Sequence, residues 1–116
     1  MALFVAAGPG PAFGQQGAVL SDYTVADLLK PCIEGDNASR EGLEAESECE
    51  QYIAGFVDAY ILLGAAEQDG VCLPAQNRRD EVRWVFTRWA YKHYSERAMP
   101  AAEGLIAAIR SGFKCP

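Results

Sequence analysis

The chain has a single histidine and two methionines among its 116 residues, and its cysteines form no C-x-x-C pair. Lacking C-x-x-C, it has no thioredoxin-type redox motif, and lacking closely spaced cysteine pairs it has no ordinary structural zinc ligand set. Neither a nucleophile elbow nor a Walker loop, an H-E-x-x-H helix or a calcium loop occurs, so the common catalytic signatures are missing and no cofactor or metal is expected. No apolar run reaches the roughly 18–20 residues of a membrane span. A basic surplus is also absent. Lys and Arg number 10 against 16 Asp and Glu, for a net charge of −6, and a nucleic-acid binder would carry a basic stripe instead. Alternation at period two does not persist anywhere, which removes the usual strand signal.

Half of the residues are hydrophobic, enough for the core of one domain of ordinary size. The charge is unevenly placed. Residues 1–77 hold 12 acidic and 2 basic groups, whereas residues 78–116 hold 8 basic and 4 acidic ones.

Residues Ala2 to Gly14 are small, apolar and uncharged, and Ala12-Phe13-Gly14 places small residues around a cleavage point before Gln15. Residues 1–14 are therefore read as the remnant of a signal peptide without its basic start, and residues 15–116 as one exported helical domain.

Helical periodicity organises that domain. Thr24 is set to cap a first helix running to about Lys30, with Val25, Leu28 and Leu29 inward and Pro31 discouraging its continuation. Residues 34–46, with Gly35, Asp36, Asn37 and Ser39, are acidic and polar and read as a loop that can hold a helical turn. The acidic run Glu41 to Glu50 reads as a solvated loop or as steering toward a basic partner. Ser47-x-x-Glu50 reads as a capping box opening a second helix. Its stripe is Cys49, Tyr52, Ile53, Phe56, Val57, Tyr60 and Ile61, and Gly70 is its stop. A third helix begins near Asn77 and turns Val82, Val85, Phe86, Trp89 and His93 to one side. Pro100 suits the first position of a fourth helix, whose stripe is Ala102, Leu105, Ile106, Ile109 and Phe113. The expected fold is all-α: a small up-and-down bundle of about four helices with two disulfides.

Cys32, Cys49, Cys72 and Cys115 are separated by 17, 23 and 43 residues, an even set in a short exported chain, which is disulfide arithmetic. In an up-and-down bundle Cys32 and Cys49 fall at one end, and Cys72 and Cys115 at the other. The other pairings would have to cross the bundle, some 20–30 Å, whereas bonded cysteines keep their Cα atoms within about 7 Å. The expected pairs are Cys32–Cys49 and Cys72–Cys115.

Catalysis has little to work with. His93 reads as a half-buried histidine at a helix C-terminus, where its charged form suits the dipole. Binding has more. Trp84, Arg88 and Tyr91 lie off the core stripe of the third helix, and the residue types fit an interface. Packing beneath neighbouring loops or the first helix is the other reading of Trp84 and Tyr91. The connection His93-Tyr94-Ser95-Glu96-Arg97-Ala98-Met99 is a candidate binding loop or a plain connector. The candidate partner-binding set is thus Trp84, Arg88, Tyr91, His93, Tyr94, Ser95, Glu96 and Arg97.

A family resemblance joins these pieces. Thr24-Val25-Ala26-Asp27-Leu28-Leu29 precedes Cys32, and Cys49-Glu50-Gln51-Tyr52-Ile53-Ala54-Gly55 follows. Cys72-Leu73-Pro74, Pro100-Ala101-Ala102 and Phe113-Lys114-Cys115-Pro116 complete the order. In sequence and spacing the chain resembles the Tai/Rap family of immunity proteins against type VI secretion amidase effectors. The resemblance implies an all-helical periplasmic protein of a Gram-negative bacterium, often a homodimer. Such a protein binds a peptidoglycan amidase effector, blocks its active site and is not itself an enzyme. It supplies no residue-by-residue contact set. The alternative is a periplasmic acid-stress chaperone or envelope-associated binding protein without a toxin partner, since acid would swing 16 carboxylates toward neutrality.

Overall fold

The computed structural model describes residues 19–35 and 40–116. The leader assigned to residues 1–14 and its boundary at Gln15 lie outside the described residues. Among the described residues the elements are helices: α1 Val25–Glu34, α2 Arg40–Leu62, the short α3 Ala65–Gln68, α4 Arg78–Lys92, a 3₁₀ turn Tyr94–Glu96, and α5 Ala101–Gly112. The all-α expectation holds, with four principal helices and two disulfides.

Thr24 and Asp27 start α1 reciprocally. The Asp27 amide donates to Thr24 Oγ1 at 3.1 Å and the Thr24 amide to Asp27 Oδ2 at 2.9 Å, satisfying donors that a helix start otherwise leaves unpaired. Two further amides of the first turn are held from outside: Val25 donates to the Met99 carbonyl and Ala26 to that of Arg97. The expected stop before Pro31 is corrected, because α1 runs through that proline to Glu34. An interior proline removes one helix bond and costs about 3 kcal/mol. Tertiary contacts offset this cost. Pro31 and Cys32 are buried, Cys32 is bonded to Cys49, and the buried Arg83 of α4 donates from Nε and Nη2 to the Cys32 carbonyl at 3.2 and 2.8 Å.

The second helix needs two corrections. α2 begins at Arg40, so Glu41 to Glu50 is helical and Ser47-x-x-Glu50 lies inside a helix rather than opening one. The charges that suggest a loop belong to glutamates, which are good helix formers, and Glu41 also suits the first turn. α2 ends at Leu62, not at Gly70. Gly64, at φ +80°, turns the chain left-handed into α3, and Gly70, at φ +67°, makes the next turn; both backbone states favour glycine. Ala45, Cys49, Ile53, Val57 and Tyr60 form the buried stripe of α2, while Ile61 is exposed. At α5, Pro100 is the residue before the helix rather than its first position.

α1 and α4 each pack on the other three long helices, around Phe86, Leu28, Ile53, Leu105 and Ile109. Gly104 permits the closest approach of α5. A methyl group there would meet Val25 and the Trp89 ring. Glycine inside a helix ordinarily costs about 1 kcal/mol against alanine, so the packing outweighs propensity. Gly104→Ala is expected to destabilise the protein by roughly 1–3 kcal/mol, read as a lower denaturation midpoint. A raised midpoint would contradict this packing.

At the far end Cys72 is bonded to Cys115, and the Cys72 amide donates to Phe113 while that of Cys115 donates to Gly70. Nearby, the Tyr60 hydroxyl donates to Asp69 Oδ2 at 2.6 Å, and Arg110 Nε donates to the same oxygen at 2.9 Å. Burial, then the bond to Asp69, pushes the Tyr60 phenol up to about 12. The hydrogen bond from Arg110, then that from Tyr60, holds the Asp69 carboxyl below its usual range. A phenol raised on folding stabilises fully below its unfolded value of 10.0 and loses that contribution as pH climbs toward 12. Tyr60→Phe is therefore expected to flatten the loss of stability across that window, measured by denaturation at stepped alkaline pH. An unchanged alkaline limb would rule out Tyr60 as its source.

Candidate functional site

The basic half of the sequence comes together on α4. Trp84, Arg88 and Tyr91 are spaced by four and three residues, which places them along one side of the helix. All three are exposed, Trp84 by 48% and Tyr91 by 59%, so the reading that packs them under neighbouring elements is set aside. Large aromatic surface left in water is unusual enough to need a reason.

The 3₁₀ turn extends this face. Tyr94 is 74% exposed, and the Arg97 guanidinium lies 4.7 Å from its ring centroid and 5.4 Å from that of Tyr91. Arg97 Nε also donates to the Ala90 carbonyl at 3.2 Å. With the Arg97 carbonyl accepting from Ala26, the 93–99 segment is pinned to α1 and α4. The result is a preorganised cation–aromatic cluster, which lowers the ordering cost of binding. Ser95 and Glu96 are exposed on the same turn.

His93 is held elsewhere. Its ring stacks on Trp89 with centroids 4.4 Å apart, and Nδ1 lies 2.8 Å from the Trp89 carbonyl. A carbonyl only accepts, so Nδ1 carries a proton. His93 therefore caps the end of α4. It also lines a cleft of about 390 Å³ between α4 and α5, together with Val85, Arg88, Trp89, Lys92, Ser111 and Gly112. Lys92 was not among the sequence candidates. It follows Arg88 by four residues, and that spacing was the signal for it. Arg83, which ties α4 to α1, was also missed; its position beside Val82 on the core side was the available sign.

The opposite charge gathers in the seam between α1 and α2. A groove of about 540 Å³ is lined there by Asp27, Glu34, Glu41, Glu44 and Glu48 with Tyr23 and Lys30. The Tyr23 hydroxyl donates to Glu48 Oε2, and burial together with this bond raises its phenol. The charge division of the sequence is thus a division between faces of the bundle.

Among the described residues no group of His, Cys, Asp and Glu could hold a metal ion, and no helix is long and apolar enough to cross a membrane. The groups exposed on the α4 face can stack, donate guanidinium hydrogen bonds and carry positive charge.

No curated protein and no solved structure matches the chain. Residues 24–115 match the family described as Rap1a immunity proteins. That span runs from the cap of α1 to the last cysteine and takes in both disulfides and the whole α4 face. The chain belongs to the Rap1a immunity protein family.

Proposed function

We propose that this protein is a periplasmic immunity protein that binds a type VI secretion peptidoglycan amidase effector and blocks its hydrolysis, without being an enzyme. The observation that carries the reading is the α4 face. In a family of immunity proteins, Trp84, Tyr91 and Tyr94 stand in solvent beside Arg88 and Arg97, on a bundle stapled at two places. Such a rigid aromatic and arginine patch is the composition of a binding hot spot.

Export to the periplasm, with residues 1–14 as leader, fits two disulfides, which persist in oxidising compartments. A homodimer belongs to the same reading, and Leu62 and Leu63, exposed by 84% and 79%, offer apolar surface for it. The test is to co-express the chain with an amidase encoded beside it, isolate the pair and assay peptidoglycan hydrolysis. A stoichiometric complex with hydrolysis abolished is expected. Full hydrolysis in the presence of excess immunity protein would refute the reading.

A further inference from the structure

The cleft between α4 and α5 is positively charged and concave, and the core has no use for its cations. Arg88 and Lys92 lie one helical turn apart on its α4 wall. Like charges at that spacing repel, and among the described residues neither side chain forms an ion pair or a hydrogen bond. No carboxylate lines the cleft, while Val85 and Trp89 give it an apolar wall. An anion entering it would meet two solvent-exposed cations beside an apolar wall, an attraction of the strength found near a protein surface. Arg88 also stands on the same side of α4 as Trp84 and Tyr91, so the cleft is continuous with the exposed aromatic face.

We infer that this cleft receives an acidic loop of the effector, with Asp or Glu carboxylates placed between Arg88 and Lys92 and an apolar neighbour against Val85. The inference rests on the immunity reading above and specifies what the partner presents. The molecule's own charge division favours this occupant. The acidic seam Asp27–Glu48 would repel the same loop and so orient the approach. A second copy is a poorer fit, because its main acidic surface is that seam, itself a groove, and two concave surfaces do not interdigitate.

The experiment measures effector affinity for the wild type, R88E/K92E and the neutral R88M/K92M at two salt concentrations, with circular dichroism to verify folding. A charge scan of the effector, replacing Asp and Glu singly by Lys, follows. Expected are at least about tenfold weaker binding for the reversal, a smaller loss for the neutral pair, a reduced salt dependence, and rescue of the reversal by one effector substitution. The neutral pair decides the matter if the reversal does not fold. Wild-type affinity in the folded variants would overturn the inference and leave the immunity reading standing. Loss of self-association with unchanged effector affinity would also overturn it and assign the cleft to a second copy. A wild-type chain that binds no co-encoded amidase would sink the immunity reading and the inference with it.

Discussion

Replacing Cys32 and Cys49 together by alanine is expected to cost about 5 kcal/mol, more than replacing Cys72 and Cys115. Loop entropy alone predicts the reverse order. The chain-entropy model gives about 3 kcal/mol for a 17-residue separation and about 4 kcal/mol for 43 residues. Burial reverses the ranking. Cys32 and Cys49 are 1% and 0% exposed, so each lost sulfur also leaves a void worth about 1 kcal/mol. Cys72 and Cys115 are exposed, and alanine there empties little core. The buried pair also holds the turn of α1 that runs past Pro31, so the amides of residues 32–34 are expected to lose protection first. A small domain has only about 5–15 kcal/mol in total, and a midpoint drop on the order of 20 °C or more follows for the inner pair. Denaturation of both double variants under oxidising conditions measures this. If the Cys72 and Cys115 variant is the less stable one, loop length governs and the packing argument is wrong.

The second large effect concerns binding. Trp84→Ala and Tyr91→Ala are each expected to weaken the effector complex by about 2 kcal/mol or more, roughly thirtyfold. Both side chains are about half exposed, so the uncomplexed protein should change by no more than about 0.5 kcal/mol. That separation of affinity from stability is the mark of an interface residue. Arg97→Ala should weaken the complex through Tyr91 and Tyr94, because the guanidinium that stacks on both rings is gone. Calorimetric titration beside thermal melts reads both quantities. Unchanged affinity in the Trp84 and Tyr91 double variant would place the interface on another face.

The principal helices were legible in the sequence because their apolar residues recur at three and four positions, and tertiary packing uses those same residues. Thr24 with Asp27 announced the start of α1 correctly. The cysteine pairing follows from placing Cys49 at the start of the second helix, a premise the structure corrects although the pairing itself holds. Cys49 sits within α2 rather than in its first turn, yet it still faces the C-terminal turn of α1, since α2 merely extends beyond it. What the sequence hid was decided between elements. Pro31 breaks a helix by local rules and is retained because Arg83 and the disulfide hold the turn around it. The glutamates of residues 41–50 resemble a loop until the seam with α1 is considered. Gly104 gives no local sign that Val25 and Trp89 press on it.

The candidate site was legible in part. Trp84, Arg88 and Tyr91 stood apart from the core stripe by their phase on the helix. Whether they faced solvent or a neighbouring element was a tertiary question, and the exposure of Trp84 and Tyr91 answers it. The union of Arg97 with Tyr91 and Tyr94 depends on how the 3₁₀ turn folds back, and His93 left the group because it stacks on Trp89. Lys92 needed the wall of α5 before its role in a cleft could be seen.

The central claim is inhibition through binding. The most direct measurement mixes the purified protein with the amidase encoded beside it and follows peptidoglycan hydrolysis against the molar ratio. A linear fall to zero at a fixed stoichiometry, lost in the Trp84 and Tyr91 double variant, is the predicted result. Hydrolysis that continues undiminished at excess immunity protein would contradict the account.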